Sequence, residues 1–530
     1  MRPQLGAFMT ATAKSGLAER ARQALLVRLS EPRVWDVVVI GGGATGLGCA
    51  VDAAARGYSV LVVDAEDFAK GTSSRATKLI HGGVRYLAQG NLPLVREALA
   101  ERARLLENAP HLVHPLRFVV PAYRLHDKPM LAAGLGLYDL LAGRRGIGRS
   151  KVLNVDDTLA ALVTVKRDGL RGGIAYWDAQ FDDARLALTL ARTVGDFGGL
   201  AVNYCAATGL AIEGGKVCGV DLRDVDSGQA YRVGARVVIN ASGVWADSVR
   251  RLARADAHDM LSPSQGVHLV VDRALLPGED ALLVPHTDDG RVLFMIPWQG
   301  KVLLGTTDSP RSDLPLEPRP LPGEIDFILE TAARYLERPP SRADVRAVFV
   351  GLRPLIGGGR DSPTRQLSRE HLVDVSAEGL VSVTGGKWTT YRVMAEDAID
   401  AAQPVGGLPP RSSATARLRL HGAPEKSDGD VYGLDRKEVL RLPGADNILA
   451  EGLTLTEAEV RYAARAEFAR TVEDVLARRH RALFFDAAAA VCAAPAVAAI
   501  LAEELGRAPD WAAAEVDRFR ALAAQYQVGP

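Results

Sequence analysis

Three short runs of apolar residues along the chain each break on glycine. The first, VVVI at 37–40, runs into GGGATG, then an Ala-rich stretch ending at Gly57, then SVLVVD closing at Asp64. Continuous rather than alternating apolar residues mark strands buried on both faces, so Asp36 to Asp64 reads as one strand–helix–strand unit of a parallel sheet. RVVINASG at 236–243 and LVSVTGG at 380–386 repeat the pattern of a buried strand ending in glycine. Between them, HLVV, VLFMIPW and KVLLGTT within 262–311 are apolar runs split by Pro and Gly, which predict an antiparallel sheet in a second domain. Beyond residue 403, Pro404, Pro409 and Pro410 with their neighbouring serines read as a linker. Thr456 and Glu459 then form a capping box opening a helix, and Val460, Ala464, Phe468, Val472 and Val475 follow at helical spacing.

Two further segments bear on targeting. Residues 1–34 carry six basic residues, lack the apolar core of a signal peptide, and predict a short helix over Leu17 to Leu29. The stretch Ala487 to Leu501 is about 15 residues long and contains Pro495, short of the roughly 20 residues a bilayer span needs. The expectation is a soluble chain, or one lying on a membrane surface.

Length and charge then narrow the classes. At 530 residues the chain holds two to four packed units at roughly 100 to 200 residues each. Lys plus Arg and Asp plus Glu both number 64, so no global basic field gathers nucleic acid, and any affinity for phosphate must be local. Four scattered cysteines argue against a disulfide framework or a structural zinc site, and no metal site is expected. The 52 glycines are more than average usage supplies and require local explanations.

The first explanation is GxGxxG at Gly41, Gly43 and Gly46, placed after a strand and at a helix start. Gly41 permits the turn, Gly43 leaves room for a pyrophosphate against bare backbone, and Gly46 lets helix and strand approach. The helix N-terminus offers free N–H groups and partial positive charge to phosphates. Asp64, ending the second strand, is placed to accept hydrogen bonds from a ribose. The expected cradle therefore comprises Gly41, Gly42, Gly43, Ala44, Thr45, Gly46 and Asp64. The motif binds the ADP half common to NAD and FAD. Its place near the start of a long chain, with glycine-ended strands returning much later, favours FAD.

The second explanation is GTSSRATKLIHGGVRYLAQG at 71–90, where hydroxyls, a cation and paired glycines suit a loop along a phosphate and under a flat ring. GGGATGLG, TSSRATKLIHGGVRYL, NASGVWAD, GLRPL and TGGKWTTYR stand in an order that resembles the FAD-dependent, quinone-linked glycerol-3-phosphate dehydrogenase family, and TVEDVLARR at 471–479 is similar to that family's helical C-terminal domain. The likeness covers about nine-tenths of the chain, leaving the N-terminal extension least explained. It implies an α/β fold: a FAD-binding Rossmann-like domain of the glutathione-reductase/D-amino-acid-oxidase type, an antiparallel-sheet substrate domain and a helical C-terminal domain. The expected boundaries are 1–34 for the extension, about 35–120, 170–262 and 345–403 for the FAD domain, about 121–169 and 263–344 for the interleaved substrate domain, and 404–530 for the helical domain.

The resemblance implies oxidation of sn-glycerol 3-phosphate at C2 to dihydroxyacetone phosphate, hydride transfer to FAD, and passage of electrons to a membrane quinone. A dianionic phosphate needs fixed cations, and the C2 hydroxyl needs a base. By motif matching Arg353 and Lys387 are active-site residues and Arg369 a phosphate ligand; Arg85 and Tyr86 join them as substrate-binding residues. His81 is the expected base, having an ordinary pKa near 6.5 and two glycines behind it. His268 is its rival, or a substrate ligand. Thr72, Ser73, Ser74, Lys78, Leu79, His81, Gly82, Gly83, Ala241, Ser242, Gly243, Trp245, Gly386, Lys387 and Thr389 complete the expected FAD site, and no residue context suggests a covalent flavin link.

A quinone lives in the bilayer, so the resemblance also implies peripheral attachment at the cytoplasmic face of the cell membrane. The basic loop Arg144, Arg145, Arg149 and Lys151 after the apolar stretch Met130 to Leu141, and the basic extension, are the contacts to consider. Glycerol 3-phosphate, the quinone and the membrane surface are the expected partners, with a homodimer left open and nucleic acid excluded. The alternatives are a same-fold oxidase using oxygen, an FAD-dependent amino or hydroxy acid oxidoreductase, or a scaffold that binds a phosphorylated ligand without turnover.

Overall fold

In the computed structural model, residues 16–529 are described apart from 84–86, 88–89, 286, 288–289, 291 and 358–369. An eight-stranded sheet runs in the order His371–Val375, Leu380–Gly385, Ala230–Asn240, Val34–Ile40, Val60–Val63, Leu200–Val202, with the hairpin Cys205–Glu213 and Lys216–Asp224 branching from Ala230–Asn240. Val34–Ile40 lies parallel to Val60–Val63 and to Ala230–Asn240, which lies parallel to Leu380–Gly385. The register pairs Ile40 with Asn240 and Asn240 with Ser382. The three glycine-ended runs therefore finish side by side on one edge, where open α/β sheets bind ligands.

One face of this sheet is covered by the helices Ala44–Ala55, Asp183–Asp196 and Tyr391–Val405, whose apolar sides share a core with Val37, Val39, Val62 and Ile239. On the other face Leu26 and Leu29, from the expected helix Leu17–Leu29, pack on Val38, Leu61 and Val238. The described part of the extension, from residue 16 on, is thus no loose basic arm. Arg22 is buried, donates to the Asn203 carbonyl at 2.9 Å and pairs with Asp224. Buried Cys49 and Cys205 behave as small apolar residues, burial pushing the Cys205 thiol up to about 12.

A ten-stranded sheet forms the second layer system, in the order Ser309–Pro310, Ser264–Asp272, Lys301–Gly305, Leu293–Trp298, Ala281–Val284, Val113–Pro121, Gly173–Phe181, Leu79–Ile80, with Val345–Arg353 pairing on Ser264–Asp272 and Lys151–Leu153 on Gly173–Phe181. The expected antiparallel sheet over 262–311 is its centre. Leu79–Ile80, Val113–Pro121, Gly173–Phe181 and Val345–Arg353, drawn almost wholly from ranges expected for the cofactor domain, hydrogen-bond into this sheet. Pairing between strands so far apart leaves no local periodicity to read.

In the C-terminal region the capping box at Thr456 and Glu459 opens the helix Glu457–Ala466. The helical spacing continues in sequence but the helix stops there: Phe468 takes a left-handed φ of 63°, and the chain resumes as a π-helical turn, Asp474–Arg479. The Ala-rich stretch forms Ala487–Leu505, 19 residues, longer than expected. By length and composition it could cross a membrane, yet half of its most apolar window is buried in protein.

Candidate active site

The site grows from the first strand–helix turn. A Cβ at Gly41 would lie 2.5 Å from the Ala241 carbonyl oxygen and one at Gly46 would lie 1.9 Å from the Gly41 carbonyl oxygen, so both glycines serve close packing of backbone on backbone. At Gly43 an added Cβ would meet Ser73 Oγ at 3.0 Å and no backbone. Gly43 caps the helix Ala44–Ala55, whose Ala44 N–H donates to Ser73 Oγ at 2.9 Å. Asp64 accepts from the N–H of Gly42 at 2.6 Å and of Glu66 at 2.9 Å, and burial pushes its carboxyl up to about 7.

The turn Thr72–Ser74 ties this cradle to everything else. Ser73 accepts the Ala44 N–H through its hydroxyl and the Trp388 indole N–H through its carbonyl at 2.9 Å. Thr72 Oγ1 donates to the Leu352 carbonyl at 2.5 Å. One turn thereby fixes the glycine loop, the residue before Arg353 and the residue after Lys387. Gly385 and Gly386 carry left-handed φ values of 78° and 69°, and a Cβ at Gly386 would strike Met394 Sδ at 2.4 Å. Lys387 then stands at the N-cap of the 3₁₀ turn Trp388–Thr390 that leads into Tyr391–Val405, which places its backbone at a helix start. On the neighbouring strand end Ser242 Oγ donates to Asn240 Oδ1 at 2.6 Å, and Gly243, φ 61°, has nothing among the described residues within 4 Å of where a Cβ would stand. Trp245 donates to the Leu314 carbonyl at 3.2 Å and abuts Gly71.

Arg353 ends its strand with the guanidinium held on four sides. Nη1 donates to the Gln265 carbonyl and to Asp308 Oδ1, both at 3.1 Å; Nη2 donates to Thr306 Oγ1 at 3.2 Å and the Thr307 carbonyl at 3.0 Å. It lies over Gly266, where a Cβ would come within 2.1 Å of Nη2. The side chain keeps 23% exposure, so a planar cation with fixed orientation still faces outward. His81 is half-buried directly after the two-residue strand Leu79–Ile80.

Several expected residues do other work. Lys78 does not line the cradle: it is wholly buried, donates to Asp183 Oδ2 at 2.7 Å and the Ser74 carbonyl at 2.9 Å, and sits among the rings of Trp298, Phe349 and Phe484. Leu79 is a core residue, and Thr389 is buried beneath the start of the following helix. Gly82 meets Tyr138 and Leu99, not open space. His268 is buried and stacked on Phe349 with ring centroids 4.8 Å apart, its Nε2 2.9 Å from Thr77 Oγ1. Burial, then the Lys78 and Arg353 cations, hold its pKa well below the usual histidine range. It lies in register with Gly305, beside the turn that grips Arg353. Arg85, Tyr86 and Arg369 lie outside the described residues.

Sequence reasoning missed what holds the site from behind. Arg481 donates to the Ser74 carbonyl at 2.6 Å and Asp183 Oδ1 at 3.1 Å, while Arg478 and Arg479 pair with Asp67. These arginines belong to the TVEDVLARR segment and its immediate continuation, so the C-terminal region braces the 67–78 loop that carries Thr72–Ser74. A run of buried arginines would have been readable as ion-paired, though its partners would not.

A dinucleotide fits these residues. A phosphate has a helix N-terminus behind Gly43, a ribose has the Asp64 carboxylate, and Gly243 leaves room at the next strand end. Residues 36–401 match the family described as FAD dependent oxidoreductase, and 413–515 match the C-terminal domain of alpha-glycerophosphate oxidase. The chain is 39% identical to the mitochondrial glycerol-3-phosphate dehydrogenase of Macaca fascicularis, over 92% of this chain and 72% of the relative, and equally to that of Homo sapiens. Among solved structures it is similar to the glycerol-3-phosphate dehydrogenase of Bacillus halodurans complexed with FAD, at 29% identity and a TM-score of 0.79 over 97% of this chain and 99% of that one. L-alpha-glycerophosphate oxidase of Mycoplasma pneumoniae shares the fold, with a TM-score of 0.58 at 15% identity, covering 72% of this chain and 96% of that one.

Proposed function

The chain belongs to the FAD-dependent glycerol-3-phosphate dehydrogenase family and oxidises glycerol 3-phosphate, and from that premise we propose which of its residues do so and where its electrons go. Non-covalently bound FAD supplies the two-electron acceptor for the hydride leaving C2. The protein's share is to bind, orient and deprotonate. Arg353 and Lys387, with Arg85, Tyr86 and Arg369, hold the phosphate and adjacent oxygens, and Arg353 keeps a fixed plane because four acceptors grip it. Nε2 or Nδ1 of His81 takes the C2 hydroxyl proton as the C–H bond breaks, so that no alkoxide has to form first. The helix start at Lys387 favours negative charge nearby.

The observation that carries this reading is the turn Thr72–Ser74, which joins the dinucleotide cradle to the flanks of both Arg353 and Lys387. Anaerobic mixing of the purified yellow protein with glycerol 3-phosphate tests it: the flavin absorbance bleaches, and failure to bleach refutes it.

The acceptor in this proposal is a membrane quinone. Helix Asp127–Ala142 and its approach leave Leu125, Met130 and Leu140 exposed at 78%, 52% and 76%, and the exposed Arg144, Arg145, Arg149 and Lys151 follow. An apolar stripe flanked by cations suits peripheral seating on an anionic leaflet at the cytoplasmic face. Co-sedimentation with anionic vesicles, lost on Leu140→Glu, is expected; a pool insensitive to salt and lipid refutes it. Quinone reduction without hydrogen peroxide separates this reading from an oxygen-using oxidase.

A further inference from the structure

Behind the HGG turn lies a buried polar cluster that the proposed chemistry does not use. The ladder between Leu79–Ile80 and Gly173–Phe181 ends at Ile80 paired with Ala179, so His81 comes opposite Asp178 just as regular pairing stops. A side chain takes over from the ladder there. The Gly82 N–H donates to Tyr138 Oη at 2.9 Å and to Asp178 Oδ1 at 3.1 Å. Tyr138 Oη donates to Asp178, 2.9 and 3.0 Å from its two oxygens, and Arg102 Nη1 donates to Asp178 Oδ1 at 2.7 Å and to the Trp177 carbonyl at 3.1 Å. Asp178, Tyr138 and Arg102 are 2%, 1% and 1% exposed.

Burying an ion pair and a hydroxyl costs desolvation that apolar side chains of like volume would avoid, so the cluster gains the fold little net stability. What it does provide is a fixed position for one backbone N–H. The contact needs glycine: a Cβ at residue 82 would lie 2.3 Å from Tyr138 Oη and 2.5 Å from Leu99 Cδ2. Three separate elements converge on it, Arg102 from Leu92–Asn108, Tyr138 from Asp127–Ala142 and Asp178 from Gly173–Phe181. We propose that Asp178, Tyr138 and Arg102 are positioning residues that hold the turn after His81 and thereby set the imidazole against the substrate hydroxyl. This rests on the reading of His81 as the base.

The experiment is a double-mutant cycle on flavin reduction by glycerol 3-phosphate in single turnover, with the holoenzyme. Tyr138→Phe removes one oxygen and should slow reduction roughly ten- to a hundredfold. FAD content, melting temperature and the substrate concentration at half-saturation should stay near wild type. His81→Gln slows reduction further, and the pair His81→Gln/Tyr138→Phe should be no slower than His81→Gln alone. Asp178→Asn, an isostere, should repeat the pattern. If His81→Gln reduces its flavin at the wild-type rate, the base reading falls and this inference with it. If His81→Gln is slow but Tyr138→Phe is unimpaired, or the two losses multiply, this inference alone is overturned. Loss of FAD or of cooperative unfolding in both Tyr138→Phe and Asp178→Asn would overturn it too, by making the cluster a pillar of the fold.

Discussion

The second and third glycines of the fingerprint should fail in different ways when each receives one methyl group. At Gly46 the new Cβ stands 1.9 Å from the Gly41 carbonyl oxygen and 3.3 Å from Ala241 Cβ, where ordinary contact begins at 3.4 Å. Strand and helix must part by about 1.5 Å to admit it. The helix cannot simply retreat, because Gly48 on the same helix is already against Tyr391 and Ala395, with a hypothetical Cβ only 2.8 Å from the Tyr391 ring. Gly46→Ala is therefore an overpacking substitution against backbone, at the upper end of the usual 1–3 kcal/mol, so about 3 kcal/mol. Displacing the helix N-terminus also removes the N–H cradle and should weaken FAD by about a hundredfold or more. Gly43→Ala meets only the Ser73 hydroxyl at 3.0 Å, and its backbone, φ −88° and ψ −173°, suits alanine. Protein stability should change by less than about 1 kcal/mol, while FAD affinity falls at least tenfold because the methyl stands where a phosphate meets bare backbone. Thermal unfolding of the flavin-free proteins and titration of FAD by fluorescence quenching give the two readouts. Wild-type FAD affinity in Gly43→Ala would refute the placement of the phosphate, and a wild-type melting point in Gly46→Ala would refute the packing argument.

Arg353→Lys keeps the charge but cannot satisfy four acceptors held for a planar fork, so kcat/KM for glycerol 3-phosphate should drop by about a hundredfold with FAD content unchanged, measured by steady-state dye reduction. Asp183→Asn leaves the buried Lys78 and Arg481 without the carboxylate between them and should cost about 3–5 kcal/mol in chemical denaturation; a loss under about 1 kcal/mol would show the cluster to be dispensable. His421 joins Asp196 at 2.8 Å and Asp435 at 3.0 Å; burial works against its proton, but the two carboxylates outweigh burial and raise its pKa above the usual value. A raised folded pKa contributes stability that is complete below the unfolded value near 6.5 and disappears as pH rises through the folded value. The melting-point gap between wild type and His421→Gln should therefore be wider at about pH 6 than at about pH 9, and a gap that widens with pH would contradict the pairing.

What was readable in the sequence was local. Gly41 to Gly46, Asp64, Gly243 and the Gly385–Lys387 turn do stand at strand ends, because a parallel strand and the turn that follows it lie within one stretch of chain. The helix over Leu17 to Leu29 and the capping box at Thr456 are local in the same sense. Lys78 shows where such reading stops. A lysine among Thr, Ser and Gly suits a phosphate, and only the fold brings Asp183 within 2.7 Å of it from 105 residues away. His268 is the same case in an apolar setting: the strand is legible, its face is not, and Phe349 and Thr77 come from separate segments.

The braces around the site are least legible, since each is a contact between segments far apart in the chain. Arg481 reaches the Ser74 carbonyl across 407 positions, and Trp388 reaches that of Ser73 across 315. The carbonyls of Ser73 and Ser74 are thus gripped by two separate segments far downstream, while the Ser73 hydroxyl receives the Ala44 N–H from the fingerprint helix. Through Arg478, Arg479 and Arg481 the helical region therefore holds the loop to which the glycine turn, the residue before Arg353 and the residue after Lys387 are all hydrogen-bonded.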